Sequence, residues 1–176
     1  MISTMDISSL PVAQIDPLGL EPVPENTYQR FLGFSLSGQN KALLPLKDIA
    51  EVRPLEIAEI LPIPEVSRCM LGVCNWRGEI LWLVDLNVLV GDNPLWQQAP
   101  LLEQPVAIVV QSAQQSVGLV VPQVEDVELV DPASIHPQTD LCSTALAPLV
   151  TGYLPDHRGI VLDAVAIVER SLQNPP

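Results

Sequence analysis

Sliding the chain by 75 positions lays Phe31–Val52 on Val106–Val127 without a gap. Apolar run falls on apolar run, turn signal on turn signal, and Ile49-Ala-Glu51-Val52 falls on Val124-Glu-Asp126-Val127. Further on, Gly72-x4-Arg77-Gly78 is echoed by Gly152-x5-Arg158-Gly159, each followed by an apolar run. Self-similarity at a fixed spacing is the mark of one supersecondary unit used twice. The repeated runs are short, rich in Val, Ile and Leu, and bounded by Gly, Asn or Pro, which is how strands read. The pattern predicts a duplicated small β-barrel with two lobes; chance likeness between two β-rich halves is the alternative.

The 18 prolines among 176 residues support the same class, because proline interrupts helices and punctuates strands. Apolar residues make up 48% of the chain and aromatics only 4%, so a globular core must be built from Val, Leu and Ile. The length suits about one domain.

The centre of the chain is Gly72-Val-Cys-Asn-Trp-Arg77-Gly78-Glu-Ile-Leu-Trp-Leu-Val-Asp85, which reads as two strands joined by a tight turn. Gly78 can take the positive φ such a turn needs. Arg77 sits between two strands that look buried, where a guanidinium is costly without a carboxylate. Glu51, in a strand otherwise apolar at Ile49 and Val52, is the expected partner. By the repeat, Asp126 and Arg158 form the second such pair. The competing reading of Arg77 is a solvent-facing turn residue contributing well under about 1 kcal/mol.

In chain order, residues 1–26 carry four prolines and weak periodicity and read as a loosely structured extension, or one bearing a short docked element. The body runs over 27–172, followed by a tail at 173–176. Its expected strands are Arg30 to Ser37, Ala42 to Leu46, Ile49 to Leu55, Leu71 to Trp76, Ile80 to Val84, Val106 to Gln111, Val117 to Val121, Gln123 to Val130, Leu149 to Pro155 and Ile160 to Val165. Glu65 to Met70 can form one helical turn. Asp85 to Val90 reads as a short helix closed by Gly91, and Val165 to Gln173 as a closing helix. Residues 92–104 and 131–145 read as loops.

A net charge of −13, with only 8 Lys and Arg and no cluster of them, disfavours nucleic acid and anionic membranes as partners. Cys69, Cys74 and Cys142 form no C-x-x-C and read as reduced, largely buried thiols of a cytoplasmic protein. A basic segment followed by an apolar one does not open the chain, and apolar runs fall short of the roughly 18 residues of a membrane span. No nucleotide, P-loop or H-E-x-x-H motif occurs, and His136 and His157 have no nucleophile context, so neither enzyme nor cofactor chemistry is expected. Asp85 fits a helix N-cap, and Asp163 either a similar cap or an exposed charge at a strand end. Trp82 and Trp96 are each core residue or exposed anchor. A binding module remains.

The succession Pro45-Leu-x-x-Ile49-x-Glu51-Val52-Arg53, Pro62-x-Pro64, Leu71-Gly72-Val-x-Asn75-Trp-Arg77-Gly78-Glu79-Ile80 and Val84-Asp85-Leu86 closely resembles the CheW-like domain of bacterial chemosensory arrays. Val117-Gly118-Leu-Val-Val121-x-x-Val124 and Leu149-x-x-Gly152 continue the likeness over roughly residues 28–172. Trp76 departs from the leucine usual before Arg-Gly, and Trp82 from a position more often small or Pro.

The resemblance implies an all-β fold of two interleaved five-stranded SH3-like barrels with a few short helices. It implies a non-enzymatic scaffold, without cofactor or metal, between the cytoplasmic tip of a chemoreceptor and the regulatory domain of a CheA-type histidine kinase. That kinase domain has the same fold, and the two associate lobe to lobe into rings. Relatives serving type IV pilus motility or phototaxis are the alternative setting, and an enzyme with an unrecognised site the remote one. Carried over by position, the resemblance implies a receptor-facing groove at Ile49, Gly72, Arg77, Val106, Gly118 and Val127, with Glu51 and Arg77 as the family's ion pair.

Overall fold

Val106 to Val110 and Val117 to Val121 are apolar at every position but Gly118, so neither face of these strands can meet water. The computed structural model, which describes residues 27–36, 41–97, 104–112, 115–137, 144–155 and 158–173, places them at the middle of a sheet covered on both sides. The described strands are β1 (Gln29–Ser35), β2 (Lys41–Pro45), β3 (Ile49–Pro54), β4 (Met70–Trp76), β5 (Glu79–Asp85), β6 (Val106–Gln111), β7 (Ser116–Val121), β8 (Val124–Val130), β9 (Val150–Leu154) and β10 (Gly159–Leu162). Two helices, α1 (Leu86–Leu89) and α2 (Ala164–Leu172), follow β5 and β10.

The strands form two five-stranded sheets, ordered β3-β6-β7-β5-β4 and β8-β1-β2-β10-β9. The first is made from one continuous stretch and is called here the contiguous lobe; the second takes strands from both sides of that stretch and is called the split lobe. Exchanging β1 with β6, β2 with β7, β3 with β8, β4 with β9 and β5 with β10 turns one order into the other. Parallel pairs β5–β7 and β2–β10 match, as do the antiparallel pairs around them. The two lobes are therefore interleaved copies of one unit. They are open sheets rather than continuous ladders closed into barrels.

The gapless shift holds for β2 and β3 but not for β1. Phe31 faces the interior of the split lobe, as Ala107, not Val106, faces that of the contiguous lobe. The register agrees: Phe31 pairs with Pro45 and Ala107 with Val120. The spacing is 76 there, because one residue fewer separates β6 from β7 than β1 from β2.

Each lobe keeps a small interior. That of the contiguous lobe includes Leu55, Cys74, Trp76, Leu81, Leu83, Leu95 and Val109; that of the split lobe includes Phe31, Leu43, Val130, Leu154 and Val161. The largest cluster lies between the sheets, where Leu32, Phe34 and Leu44 meet Val84, Ile108, Val110 and Leu119. Leu86 and Leu89 of α1 and Ile167 and Val168 of α2 complete it. Burying each such side chain contributes about 1.5–3 kcal/mol.

Local chemistry explains the joints. Asp85 is fully buried and caps α1: its Oδ1 accepts from Asn87 N–H (3.0 Å) and Val88 N–H (3.4 Å), while Oδ2 accepts from Leu95 N–H (2.8 Å). Burial pushes its carboxyl up, and the three backbone donors oppose the shift. Asp163 caps α2 through Ala166 N–H at 3.0 Å. The β4–β5 turn places both Arg77 and Gly78 at positive φ, 54° and 84°, as a type I′ hairpin requires.

One expectation changes, and two connections hold more structure than the strands alone imply. Glu65 to Met70 is two successive turns, not a helical one, closed by Met70 N–H donating to Ser67 O. The stretch after β3 is a 3₁₀ turn, Ile57–Glu59, followed by a bridge from Leu61 to Val73 on β4. The 131–145 loop likewise holds a 3₁₀ turn, Pro132–Ser134, and a bridge from His136 to Tyr153 on β9. Residues 1–26, the Gly38–Asn40 turn, Cys142, His157 and 174–176 lie outside the described residues.

Those two bridges are equivalent, and each passes over a glycine. A Cβ at Gly72 would collide with the Leu61 carbonyl and one at Gly152 with the His136 carbonyl, whereas one at Gly78 would meet nothing within 4 Å. Gly72→Ala and Gly152→Ala should each lose about 1–3 kcal/mol in urea denaturation, with Gly78→Ala nearer the strain of a positive φ alone, about 1 kcal/mol. Equal losses at all three sites would contradict the close approach.

Candidate interaction surface

The contiguous lobe is open between its edge strands, β3 and β4, and one carboxylate spans the opening. Glu51 on β3 accepts at Oε2 from Trp76 Nε1–H of β4 (2.9 Å) and from Arg77 Nη2 of the turn (3.1 Å). The guanidinium also lies 4.9 Å from the centroid of the Trp76 ring, within cation–π range. Arg77 is not enclosed as the sequence suggested: its side chain is 65% exposed and that of Glu51 34%. The tight turn swings it outward, and the pair forms at the surface. The indole N–H, followed by the Arg77 and Arg53 charges, holds the Glu51 carboxyl below the usual range, against partial desolvation.

The split lobe closes the same opening differently. Arg158 pairs with Glu128 (3.3 Å), not with Asp126. Glu128 lies two residues further along β8, on the same face of the strand, and it also takes Lys41 Nζ, which in turn reaches Glu125 at 3.1 Å. Lys41, then Arg158, lower the Glu128 carboxyl. The expected pairing misses by one strand period because the β9–β10 turn is longer than the β4–β5 turn.

At one end of the contiguous lobe a cavity of about 340 Å³ opens. Leu55, Leu71 and Val120 form its base, Ile57, Ile60 and Pro62 one wall, and Leu95, Trp96 and Pro105 the other. Its rim carries apolar side chains in solvent: Ile57 is 73% exposed, Leu61 62% and Trp96 51%. A second cavity, of about 560 Å³, opens at the corresponding end of the split lobe. The duplication superposes their linings: Ile57 on Pro132, Ile60 on Ile135, Pro62 on Pro137, Leu71 on Thr151, Pro105 on Gln29 and Val120 on Pro45. Lys47, Asp48 and Asp163 make the second more polar. The repeat was legible in the sequence, but these grooves were not.

The family model for the CheW-like domain matches residues 30–172. The chain belongs to the CheW-like domain family. Among solved structures it is similar to the scaffolding protein TtCheW from Thermoanaerobacter tengcongensis, with 25% identity, a TM-score of 0.62, and coverage of 77% of this chain and 87% of that one. No curated protein matches it. By class, this CheW-like domain is a chemotaxis scaffold or adaptor.

The six positions taken from the family pattern are distributed over the CheW-like domain unevenly. Arg77 and Val127 are exposed, Ile49 and Val106 half-buried, and Gly72 and Gly118 buried. Gly118 lies on β7, where a Cβ would come within 2.7 Å of Leu83 Cδ2, so it admits the Leu81 and Leu83 side chains into the lobe. None of the six lines either cavity. Trp82 is half-buried, while Trp96 is the half-exposed wall just described. His136 stacks on Tyr153 with centroids 5.5 Å apart. Among the described residues no three His, Cys, Asp or Glu gather as a metal site, and no helix is long and apolar enough to cross a membrane.

Because the Glu51 carboxyl is lowered in the folded chain, its stabilisation is complete above the ordinary glutamate value of 4.5 and is lost as pH falls through the lowered value. The urea midpoint of Glu51→Gln should therefore lie below that of the parent at neutral pH, with the gap closing in acid. In a carboxyl titration by NMR, Trp76→Phe and Arg77→Ala should each raise the Glu51 pKa. A gap independent of pH would exclude the charge as its cause.

Proposed function

We propose that this chain is a cytoplasmic CheW-like adaptor that holds the cytoplasmic tip of a chemoreceptor and the regulatory domain of a CheA-type histidine kinase in fixed relative orientation. The observation that carries this is a family match spanning both interleaved lobes, 30–172, with an apolar groove rimmed by solvent-exposed Ile57, Leu61 and Trp96 on one of them. A rim of this kind suits another protein's apolar face, since aromatic and aliphatic anchors in pockets dominate binding energy. The kinase domain is assigned to this groove. The receptor is assigned to the positions taken from the family pattern, Ile49, Gly72, Arg77, Val106, Gly118 and Val127, of which Arg77 and Val127 are the exposed ones. The working unit is residues 27–172, with 1–26 an extension and 173–176 a tail.

The mechanism is mechanical rather than chemical. The shared core between the sheets couples the lobes rigidly, so a receptor movement delivered to one surface is passed to the kinase at the other. No covalent step, cofactor or metal enters it. Whether the output is flagellar, pilus or phototactic resides in the partners.

Ile57→Glu and Trp96→Asp should each weaken binding of the kinase regulatory domain at least about tenfold in calorimetry while leaving a receptor-tip fragment unaffected. Arg77→Glu, which sets a like charge against Glu51, should weaken the receptor fragment instead. If the parent protein binds neither partner, or turns over a substrate in a manner dependent on His136 or His157, the adaptor reading is wrong.

A further inference from the structure

The two lobes match strand for strand and groove for groove, yet one position in the contiguous lobe has no counterpart among the described residues of the other. Leu95 is buried and belongs to that lobe's interior with Leu55, Cys74, Leu83 and Ala107. Their counterparts Val130, Leu154, Val161 and Phe31 form the split lobe's interior, and nothing stands where Leu95 would. The groove on that side is also the larger, about 560 Å³ against 340 Å³.

Leu95 arrives on the segment that leads into β6. The counterpart of β6 is β1, so the corresponding segment is the one leading into β1, within residues 1–26. The sequences agree: Asp16-Pro-Leu18-Gly-Leu20 stands before β1 as Asp92-Asn-Pro-Leu95-Trp96 stands before β6. Pro17-Leu18 precedes Pro94-Leu95 by 77 positions, one more than the 76 relating Phe31 to Ala107, and Val23-Pro24 precedes Ala99-Pro100 by 76. This likeness sets Leu18 ahead of β1 much as Leu95 stands ahead of β6.

The receiving site is prepared in the same way. In the contiguous lobe Asp85 Oδ2 holds the Leu95 N–H at 2.8 Å, fixing the segment over the groove. Its counterpart Asp163 occupies the same place after β10: Asp163 N–H donates to Leu149 O as Asp85 N–H donates to Cys69 O. Asp163 borders the larger groove, exposed to solvent. Gln29, at the start of β1, borders it too, so the upstream chain enters at the groove's edge. The nine residues from Leu20 to Gln29 span up to about 30 Å extended, ample to reach along it. Tethering of this length supplies an effective concentration on the order of millimolar.

We propose that the segment Pro17–Leu20 docks in cis on the split-lobe groove, Leu18 filling the place that Leu95 holds in the other lobe and Asp163 receiving its backbone N–H. The groove is then an intramolecular docking site, lined by Phe31, Ile135 and Val161 and open at Thr151, and the extension is a third structural piece of that lobe.

The test is hydrogen exchange, read by mass spectrometry, on the full chain and on two full-length variants. Leu18→Asp/Leu20→Asp alters only the segment, and Thr151→Arg blocks the groove at an exposed position without entering the core. In both variants, exchange around Ile135–Pro137 and Val150–Leu154 should accelerate by roughly tenfold, with Leu55–Ile60 of the contiguous lobe unchanged as internal control. Restoring the apolar segment as Leu18→Ile/Leu20→Ile should restore protection. Equal exchange in parent and both variants would overturn the proposal. So would protection that disappears on dilution of the parent, which would mean that the segment of a second copy occupies the groove.

Discussion

The central strands of both sheets bury both faces, and that requirement governs this molecule. One face of each sheet closes its own lobe, while the other packs on the sheet opposite through Leu32, Phe34, Leu44, Ile108, Val110 and Leu119. Because the contiguous stretch Ile49–Val121 lies between β2 and β8 in the chain, the split lobe can assemble only around a neighbour supplied by its own sequence. The lobes therefore fold as one body despite their separate interiors. The same requirement explains the apolar runs of β6 and β7, which would aggregate as a one-sided sheet but here lie inside the sheet between β3 and β5.

What the sheets leave unfinished is the gap between the edge strands of each lobe, and polar chemistry crosses it. Glu51 joins β3 to the β4–β5 hairpin with two donors on one oxygen; Glu128 joins β8 to the β9–β10 hairpin and to β2. Surface ion pairs are worth little alone. Here they act with the backbone bridges Leu61–Val73 and His136–Tyr153, which already draw each gap together, so their energetic role is to set the hairpin's direction rather than to hold the fold. A chain with 21 acidic and 8 basic residues spends three of its few cations, Lys41, Arg77 and Arg158, at these two places, which argues that the hairpins' orientation matters to the surfaces they carry.

The strands were legible because both-face burial makes them unusually apolar, and the duplication because strand and turn recur at nearly constant spacing. The Asp85 cap was legible for the same local reason: an acidic side chain between a strand and Leu86 has one usual task. What escaped depended on contacts between distant segments. Trp76 reads in sequence as a departure from the family pattern, although its indole N–H is the foremost cause of the lowered Glu51 carboxyl. The repeat points to Asp126 rather than Glu128 because a gapless alignment cannot see a hairpin connection of four residues where the other has two. The one-residue displacement of β1 escaped for a related reason, since a shift by one in a strand exchanges its faces while leaving the apolar composition intact.

Duplication also bears on how the two grooves diverged. Their walls descend from the same positions, yet Leu71 has become Thr151 and Val120 has become Pro45, and Lys47, Asp48 and Asp163 border only the second. An exposed apolar rim is tolerated when a partner covers it, because uncovered patches invite association. A rim with Thr151 and charged neighbours can stay in water, or take a short apolar segment whose main chain is held by a polar group. The contiguous lobe has an apolar lip at Ile57, Leu61 and Trp96, and the split lobe a polar one at Thr151, Asp48 and Asp163. Identical frames thus present two different chemical surfaces, which is what a scaffold needs in order to keep two neighbours distinct while holding both on one rigid core.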